Sequence, residues 1–510
     1  MDACSRHARH TLVVSDLHLT DAQEPLPRKP LWKRYKQRDL FIDGVFDRFL
    51  ATFERTLPPG GELVLNGDVF DFDSVMALPK ARTFPVTWLE RHRGLGAEEE
   101  KSRFKMRRIL RDHPLFVGAL RRWVLAGHRV VFVIGNHDIE LQWHSVRRDL
   151  LDSLELPDGR RDAVRVCEWF YLSNEDTLIE HGNQYDSYCL GADPIHPTIR
   201  WRGKERVRVP FGNLAERYML NAMGLFNPHV DGSFIKSGPE YARFFFRYMI
   251  RIQPFIAWTW FWGALVTLVS SLREGFLPAV RDPLHIEDRV ADIARRANAT
   301  TAVVRGLQAI HVHPAIFSPW RIARELWLDR AAILAVLVFG SFQVFSVMNA
   351  FSPISPWWAG VVFLLLLPPF LFYARSVQSG VGRALASLMD RSPFAARIAG
   401  VPRVVVGHTH IEQHIALEGL ELLNTGTWSP AYRDVECTIP YGRKCFTWVR
   451  PDGSGARRAD LFEWNDPGCT PIPPVQVTEK AAPLLDAARR AARALRRARD
   501  DWGPPGGRGP

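Results

Sequence analysis

The sequence predicts an α/β protein that is interrupted by a large hydrophobic helical insertion, and two observations lead to this prediction. Five short apolar runs, each typical of a buried strand, end in small clusters of Asp, His or Asn. Long uncharged stretches then separate the fourth run from the fifth. With 46% hydrophobic and 24% charged residues, the 510-residue chain has globular composition and can hold more than one domain.

The apolar runs and the polar clusters follow one another in a fixed order. The predicted strands are residues 11–19, 62–66, 129–134, 176–180 and 403–407, with helices near 39–56 and within 98–126. The polar clusters contain, in chain order, Asp16 and His18; Asp68 and Asp71; Asn136, His137 and Asp138; His181; and His408 and His410. Because open α/β sheets bind ligands at the carboxyl ends of their strands, we expect these side chains to lie close together.

The clusters supply carboxylates, imidazoles and one amide. The candidate metal ligands are Asp16, His18, Asp68, Asn136, His181, His408 and His410. Mixed nitrogen and oxygen ligands suit Mn, Zn or Fe. The absence of cysteine from these clusters argues against a purely structural zinc. These ligands are too many for one tetrahedral ion but suffice for two ions about 3.5–4 Å apart, if one carboxylate bridges them. Two such ions lower the pKa of a shared water and hold phosphate oxygens during an in-line displacement.

Charge and cysteine content narrow the function classes. The net charge of +11 fits nucleic acid, an anionic membrane surface or phosphorylated substrates. A nuclease is disfavoured because the basic residues are spread out, without one groove interleaved with aromatic residues. The six cysteines form no Cys-x-x-Cys pair and are predicted to be reduced thiols. Residues 1–10 are polar and basic, without a secretory signal, so we expect the first catalytic segment to face the cytoplasm.

Two stretches in the middle of the chain, 252–272 and 331–374, contain no charged residue. About 20 apolar residues cross a bilayer core, so 331–374 is long enough for two crossings, near 331–350 and 357–374. Trp357 and Trp358 lie at the turn between them, and basic residues flank the pair at Arg321, Arg324, Arg330, Arg375 and Arg383. This pattern is typical of a hairpin that begins and ends on the cytoplasmic side.

The position of the candidate ligands limits how the chain crosses a membrane. Asp16 and His408 lie on either side of the uncharged stretches, so a single site built from both requires an even number of crossings. We therefore predict a transmembrane hairpin at 331–374 and an interfacial or re-entrant segment at 252–272. The alternative for both is a buried helical cap that packs on the soluble domain or on a dimer partner. Residues 479–499 predict a basic helix that lies on anionic lipid or forms a solvated tail, and 502–510 a disordered end.

Taken together, the motifs resemble those of the calcineurin-like metallophosphoesterases. The likeness is carried, over roughly 11–183 and 401–428, by Asp16-x-His18, Gly67-Asp68-x-x-Asp71, Gly135-Asn136-His137-Asp138, His181 and Gly407-His408-x-His410. The resemblance implies a four-layer α/β/β/α sandwich with two divalent metal ions, Mn foremost and Zn or Fe as alternatives. It implies that Asp16, His18 and His410 hold the first ion, that Asn136, His181 and His408 hold the second, and that Asp68 bridges them. It also implies that His137 faces the leaving group and is oriented by Asp71, which would suit a general acid.

Within that family, the chain resembles the bacterial UDP-2,3-diacylglucosamine pyrophosphatases. Ser15-Asp-Leu-His-Leu19, Gly67-Asp-Val-Phe-Asp71 and the His181-Gly pair carry this likeness. That group usually has arginine at the position of His137, and its cap is much smaller than the insertion here. The resemblance implies a membrane-associated hydrolase of a phosphodiester or pyrophosphate bond, whose phosphorylated substrate could be lipidic, such as UDP-diacylglucosamine.

Two other functions stay open at this point. One is a membrane-anchored phosphatase or phosphodiesterase of soluble nucleotides or phosphoproteins, and the other is a scaffold that keeps the fold without the chemistry. A scaffold is expected to have lost ligands, and none is missing here. The predicted divisions are a phosphoesterase domain in two parts (1–240 and 385–475), the insertion (241–384) and the basic tail (476–510). Between the parts, Asn183, Tyr185, Asp186, His196 and Asn213 could line a substrate pocket or be polar loop residues.

Overall fold

A computed structural model describes residues 7–81, 83–191, 193–225, 227, 229, 238–376, 384–417 and 419–476. The basic helix and disordered end predicted at 479–510 lie outside the described residues. The strands are β1 (Thr11–Val14), β2 (Glu62–Asn66), β3 (Arg129–Val133), β4 (Val164–Cys167), β5 (Phe170–Ser173), β6 (Thr177–Glu180), β7 (Thr198–Trp201), β8 (Lys204–Val207), β9 (Arg403–Val406), β10 (Gln413–Leu417), β11 (Leu420–Asn424), β12 (Cys445–Pro451), β13 (Arg457–Trp464), β14 (Cys469–Ile472) and β15 (Val475–Gln476).

The helices begin with five that precede or follow the first strands: α1 (Asp43–Thr56), α2 (Trp88–Arg93), α3 (Glu99–Asp112), α4 (Pro114–Leu125) and α5 (His144–Ser153). Two longer ones are made of consecutive segments: α6 (Phe211–Ala215, Glu216–Leu220 and Asn221–Met223) and α7 (Gly238–Phe244, Phe245–Met249 and Ile250–Ile252). The rest are α8 (Ile256–Phe276), α9 (Ile286–Arg296), α10 (Thr301–Ala309), α11 (Pro319–Glu325), α12 (Leu328–Phe351), α13 (Trp357–Ser376) and α14 (Ala384–Ala399).

Two mixed sheets form the centre of the described structure. The strand order of the first is β14-β13-β12-β1-β2-β3-β4, in which β1 to β4 run parallel. The order of the second is β15-β10-β11-β9-β6-β5, in which β6, β9 and β11 run parallel. The five predicted strands are therefore confirmed as β1, β2, β3, β6 and β9. The prediction for β1 was too long, because the strand ends at Val14 and the polar residues after it leave the extended conformation.

Three apolar cores define the layers of the structure. Val64 and Val131 of the first sheet face Ile179 and Val405 of the second across one core. The opposite face of the first sheet packs against α1, α3, α4 and α5. The opposite face of the second sheet packs against α9, α10 and α14. Because each sheet is covered on both faces, its central strands are continuous apolar runs, and the layers follow the order helix, sheet, sheet, helix.

The stretch predicted as one hydrophobic insertion, 241–384, contains two different parts. Helices α9 and α10 bury one face against the second sheet, with Val290, Ile293, Val304 and Leu307 in that core. Residues 286–309 therefore belong to a helical layer of the sandwich and not to the hydrophobic part of the insertion. The packing of these helices on the sheet could not be predicted from the sequence, because a helix that packs on one face needs only an apolar stripe and keeps its charges elsewhere.

The second part is a hairpin of two apolar helices, α12 and α13, as predicted for 331–350 and 357–374. The hydroxyl of Tyr373 donates to Asp329 Oδ2 at 2.8 Å, so the end of α13 lies beside the start of α12 and the helices are antiparallel. At the opposite end, Phe351 and Trp357 are 88% and 84% exposed. Of the single helices in the described ranges, α12 is the one long and apolar enough to cross a bilayer; the apolar part of α13, Gly360–Leu371, is shorter.

The predicted interfacial segment, 252–272, falls on the end of α7 and on α8. These helices meet at an angle of 92°, and together they contain enough apolar sequence for one broken span. One face of α8 packs closely on α6: a Cβ added at Gly263 would lie 2.8 Å from the carbonyl oxygen of Tyr218. Phe255 and Trp258, on the other hand, are exposed. The segment is thus attached to the domain by small residues and exposes an aromatic surface.

Candidate metal centre

The candidate ligands come together where the two sheets meet. Three of the motif loops follow β1, β2 and β3 of the first sheet, and two follow β6 and β9 of the second. Hydrogen bonds join the loops across the sheets: the amide of Asn66 donates to the carbonyl oxygen of Glu180 at 2.9 Å, and the backbone N–H of His408 donates to Asp16 Oδ2 at 3.1 Å. Residues almost 400 positions apart in the sequence, Asp16 and His408, therefore share one site.

The first group of ligands is Asp16, His18 and His410. The Nε2 atoms of His18 and His410 lie 3.1 Å apart, and His410 Nε2 lies 3.2 Å from Asp16 Oδ1. The distance from His18 Nε2 to the same carboxylate oxygen is 3.8 Å. Three ligand atoms that converge in this way can hold one divalent ion, and the grouping is the one implied by the resemblance for the first metal.

The second group contains Asp68, His181 and His408, with ligand atoms within 4.8 Å of one another. His181 Nε2 lies 3.0 Å from Asp68 Oδ2. Asp68 also forms a group with His18 and His137, so its carboxylate borders both candidate ion sites. This shared position is what a bridging ligand requires.

The hydrogen bonds of the ligands leave the correct atoms free for a cation. His181 Nδ1 lies 2.9 Å from the carbonyl oxygen of Asn66, which leaves Nε2 for an ion, as metal-binding imidazoles usually do. The amide nitrogen of Asn136 donates to Asn213, while its Oδ1 is buried and has no hydrogen-bond partner among the described residues. Asp16 Oδ1 is also buried and accepts no hydrogen bond among the described residues, although His410 Nε2 lies 3.2 Å away. Buried acceptors without partners are costly, so the donor set fits divalent ions.

The backbone at these positions is held in an uncommon conformation. The φ angles of Asp16, His18, Asp68, His408 and His410 lie between 50° and 66°, in the left-handed region. For residues other than glycine, such a conformation costs about 1–3 kcal/mol each and persists only where the surroundings enforce it. Here it turns successive side chains of a strand end towards the same point.

Two motif glycines are required by the closeness of the ligands. A Cβ at Gly135 would lie 2.3 Å from Asp68 Oδ1, and a Cβ at Gly407 would lie 2.5 Å from Asp16 Oδ2. Any other residue would displace these carboxylates, because real Cβ contacts are never so short. The Gly-Asn-His-Asp and Gly-His-x-His motifs therefore have a packing reason for their first residue.

The electrostatics of the site favour the protonated form of one candidate ligand, His181. Although burial opposes the charged form of its imidazole, the Asp68 and Asp16 carboxylates raise the pKa of His181 to about 9. Burial acts against the Asp68 carboxylate as well, yet the adjacent His181 and His137 hold its pKa well below the usual value. A divalent ion that binds to His181 must displace this proton, so metal affinity will fall as pH decreases.

His137 forms a group with His18 and Asp68, but it belongs to neither of the two ligand sets that the resemblance implies. Its backbone N–H donates to Asp68 Oδ1 at 2.8 Å, and its Nδ1 lies 3.6 Å from Asp71 Oδ1. That distance is an ion-pair contact and too long for a hydrogen bond. Asp71 Oδ2 is closer to a second imidazole, with His229 Nε2 at 3.2 Å. The predicted pair of His137 and Asp71 is thus present, but Asp71 lies between two histidines.

Sequence reasoning missed His229 as a residue of the site. Its ring stacks on that of His18 with centroids 3.7 Å apart, and its carbonyl oxygen lies 3.3 Å from His410 Nδ1. His229 belongs to no local motif, so only the tertiary structure reveals it.

Some of the polar loop residues also reach the centre. Asp186 Oδ2 lies 3.3 Å from His408 Nε2, and Cys189 lies close enough to form a group with them. Asn213 contacts Asn136, as described above. His196, in contrast, pairs with Asp193 through Nδ1 at 3.3 Å.

A part of the chain that includes most of these ligands matches a known protein family. The sequence profile of the calcineurin-like phosphoesterases matches residues 9–221. Residues 9–221 are a calcineurin-like phosphoesterase domain. Domains of this family bind two divalent metal ions, and the two ligand groups on either side of Asp68 are consistent with that. The structure adds His408 and His410, which lie beyond the matched residues, to the candidate metal centre. No curated protein is similar enough to the chain to count as a match.

Proposed function

We propose that this protein is a membrane-associated, two-metal phosphoesterase that hydrolyses a phosphodiester or pyrophosphate bond. The observation that carries the proposal is the position of Asp68, whose buried carboxylate borders both groups of ligands. Two bound ions would supply an activated water and would neutralise phosphate oxygens during the displacement.

The protein's own residues would do the remaining chemistry. Asp16, His18 and His410 would hold one ion, and Asn136, His181 and His408 the other, with Asp68 shared. His137, whose side chain is partly buried at the edge of the site, would donate a proton to the departing oxygen. Asp71 would help to keep that imidazole in place and charged, because a carboxylate at 3.6 Å favours the protonated ring.

Membrane association is supported by the apolar helices. Exposed apolar helices on a folded domain normally mark a contact with lipid or protein. The antiparallel arrangement of α12 and α13 leaves Asp329, Arg330 and Tyr373 together at the base of the hairpin and the aromatic residues at its tip. A hairpin inserted from its tip keeps both halves of the phosphoesterase site on one side of the membrane, which we propose is the cytoplasmic side.

We propose a lipid-linked nucleotide, such as UDP-diacylglucosamine, as the substrate class to test first. A membrane attachment next to a phosphoesterase site suits a substrate whose lipid part stays in the bilayer. Soluble nucleotides and phosphoproteins are the competing substrates, for which the hairpin would be only an anchor.

Turnover by the purified full-length protein tests the proposed reaction. The protein should hydrolyse bis(p-nitrophenyl) phosphate when loaded with Mn²⁺, with Zn²⁺ and Fe²⁺ in parallel. On a diester that releases phenol, whose departure needs a proton, His137→Gln should lower the rate while the metal content measured by mass spectrometry stays the same. A wild-type protein that binds neither ion and has no turnover would make a non-catalytic scaffold the better account.

Substrate choice is tested with a shortened protein. Helices α12 and α13 can be replaced by a short linker, because Asp329 and Tyr373 bring their ends together; α9 and α10 must be kept. If the substrate is lipidic, the shortened protein should keep its rate on soluble diesters and lose its rate on UDP-diacylglucosamine in vesicles. Equal rates of both proteins on the lipid substrate would reduce the hairpin to an anchor.

A further inference from the structure

Helix α6 inserts polar side chains between the motif loops. Asn213, Glu216, Arg217 and Asn221 are each at most 3% exposed. Polar and charged residues are rarely buried so completely unless they have specific partners. Each of them faces the loop that follows β2 or the loop that follows β3.

The middle of α6, Glu216–Leu220, is a π-helical turn. Such turns are rare, usually last for a single turn, and often occur at functional sites. The wider turn changes the direction in which successive residues point, and here it begins at Glu216.

Three of the four residues fix the helix to Asp73, which lies two positions after Asp71. The Asn213 amide donates to Asp73 Oδ2 at 2.5 Å, and the guanidinium of Arg217 pairs with Oδ1 of the same carboxylate. The Asn221 amide donates to the carbonyl oxygen of Asp73 at 2.8 Å. Asn213 also donates to the carbonyl oxygen of Asn136 at 2.9 Å. These bonds hold α6 in one position relative to both motif loops.

Glu216 differs from the other three because it reaches the side chain of His137. Its Oε1 accepts a hydrogen bond from Ser74 Oγ at 2.5 Å, which fixes the carboxylate. Its Oε2 lies 3.3 Å from His137 Nδ1, closer than the 3.6 Å between that nitrogen and Asp71 Oδ1. A purely structural role is satisfied by the bond to Ser74 and does not explain the second contact.

The two carboxylates near His137 differ in their other contacts. Asp71 is shared with His229, whose Nε2 lies 3.2 Å from Asp71 Oδ2. Glu216 contacts His137 from α6, outside the motif loops. The imidazole is therefore held between a carboxylate of the motif and a carboxylate of α6, which limits its rotation.

We propose that Glu216 is a positioning residue that, together with Asp71, holds the His137 imidazole towards the leaving group of the substrate. This inference rests on the proposed function, because it gives His137 the role of general acid. Glu216 acts through His137 and belongs to neither of the two ligand groups on either side of Asp68.

Kinetics with two leaving groups test the proposal. Glu216→Gln in the metal-loaded, full-length protein should lower kcat roughly 10- to 100-fold for a diester that releases phenol. The loss should be much smaller for one that releases p-nitrophenol, which departs without protonation. KM and metal content should stay at the wild-type values, and Glu216→Asp should restore part of the rate. An equal loss for both leaving groups, or no loss, would overturn the proposal.

A matched control and a double variant separate positioning from stability. Glu62 is another buried carboxylate, at the opposite end of β2, and accepts a hydrogen bond from the Tyr171 hydroxyl at 2.6 Å. Glu62→Gln should lower Tm without any dependence of rate on the leaving group. If Glu216 acts through His137, then Glu216→Gln should cause no further loss in a His137→Gln background. Additive losses would contradict the proposal.

A measurement without turnover completes the test. In protein labelled with ¹⁵N-histidine, the His137 ring signals can be assigned with His137→Gln. Glu216→Gln should shift the His137 Nδ1 resonance; an unchanged resonance would overturn the proposal. A wild type that hydrolyses neither diester would overturn this proposal together with the proposed function. An active wild type with an unaffected Glu216→Gln variant would overturn the role of Glu216 alone.

Discussion

The metal centre and the α12–α13 hairpin depart in opposite directions from the usual burial of apolar side chains and exposure of charged ones. At the metal centre, the carboxylates of Asp16, Asp68 and Asp71 are buried. In the hairpin, apolar side chains such as Phe339, Phe351 and Trp357 are exposed. Folded domains generally bury apolar groups and expose charges. Each of these two regions therefore indicates a partner from outside the chain.

In both regions, the burial or exposure of the side chains indicates the kind of partner. Buried carboxylates and imidazoles at left-handed strand ends are costly unless a cation compensates them. Exposed aromatic and aliphatic helices are costly unless lipid or protein covers them. The first region therefore indicates metal ions, and the second indicates a contact with lipid or protein, which we propose is a bilayer.

Replacing Asp68 with Ala should have the largest effect, because its carboxylate serves both ligand groups. Loss of an outer partner of a metal ligand costs about 10- to 100-fold, so loss of a shared direct ligand should lower turnover by more than about 1,000-fold. Metal analysis should find both ions lost from the variant. One ion retained at full occupancy would show that Asp68 is not shared.

A charge placed in the hairpin tests the membrane half of the comparison. Phe339→Asp should cost about 2.5–3.5 kcal/mol if the middle of α12 lies in a bilayer, and almost nothing if it lies in water. The share of protein that resists carbonate extraction from membranes measures the effect and should fall. Leu115→Asp is the matched control, because Leu115 is an exposed apolar residue of α4 in the sandwich. Equal behaviour of the two variants would contradict the transmembrane hairpin.

Adding one methyl group at Gly407 tests how closely the ligands are packed. Its Cβ would meet Asp16 Oδ2 at 2.5 Å, so Gly407→Ala should weaken metal binding by about 10- to 100-fold while the fold is kept. Competition with a chelator measures the affinity. Gly468→Ala, at a position with no atom within 4 Å of the added carbon, should bind metal as the wild type does.

A partly buried imidazole outside the metal centre is expected to affect stability only at acidic pH. Burial, assisted by the charge of Arg391, lowers the pKa of His311 to about 4 from its usual 6.5. The unfolded chain takes up this proton below pH 6.5 and the folded chain only near pH 4, so the folded state loses stability as pH falls between these values. The contribution is at most about 1.4 kcal/mol per pH unit.

The measurement for His311 is the free energy of unfolding from pH 7 to pH 4, in denaturant, for the wild type and His311→Asn. The variant should have the shallower loss in this range. Parallel curves for the two proteins would show that His311 titrates with an ordinary pKa.

Much of the fold and the centre could be predicted from the sequence for a local reason. A buried strand is a contiguous apolar run, and the residue after it is necessarily at the sheet edge, so Asp16, Asp68 and His181 could be placed together. Helices α9 and α10 could not be assigned to the sandwich, because an amphipathic helix does not reveal which sheet it covers. His229 and Glu216 were not predicted, because neither belongs to a motif of fixed spacing.

The sequence by itself determined five of the fifteen described strands, the candidate ligands and the uncharged helices, because periodicity and motif spacing are local properties. Only the tertiary structure decided that Asp71 lies between His137 and His229 and that α6 brings Glu216 to His137. It also decided that the insertion is partly sandwich and partly hairpin. These contacts depend on how layers pack across long separations in the chain, and that packing leaves no repeating pattern in the residues that make it.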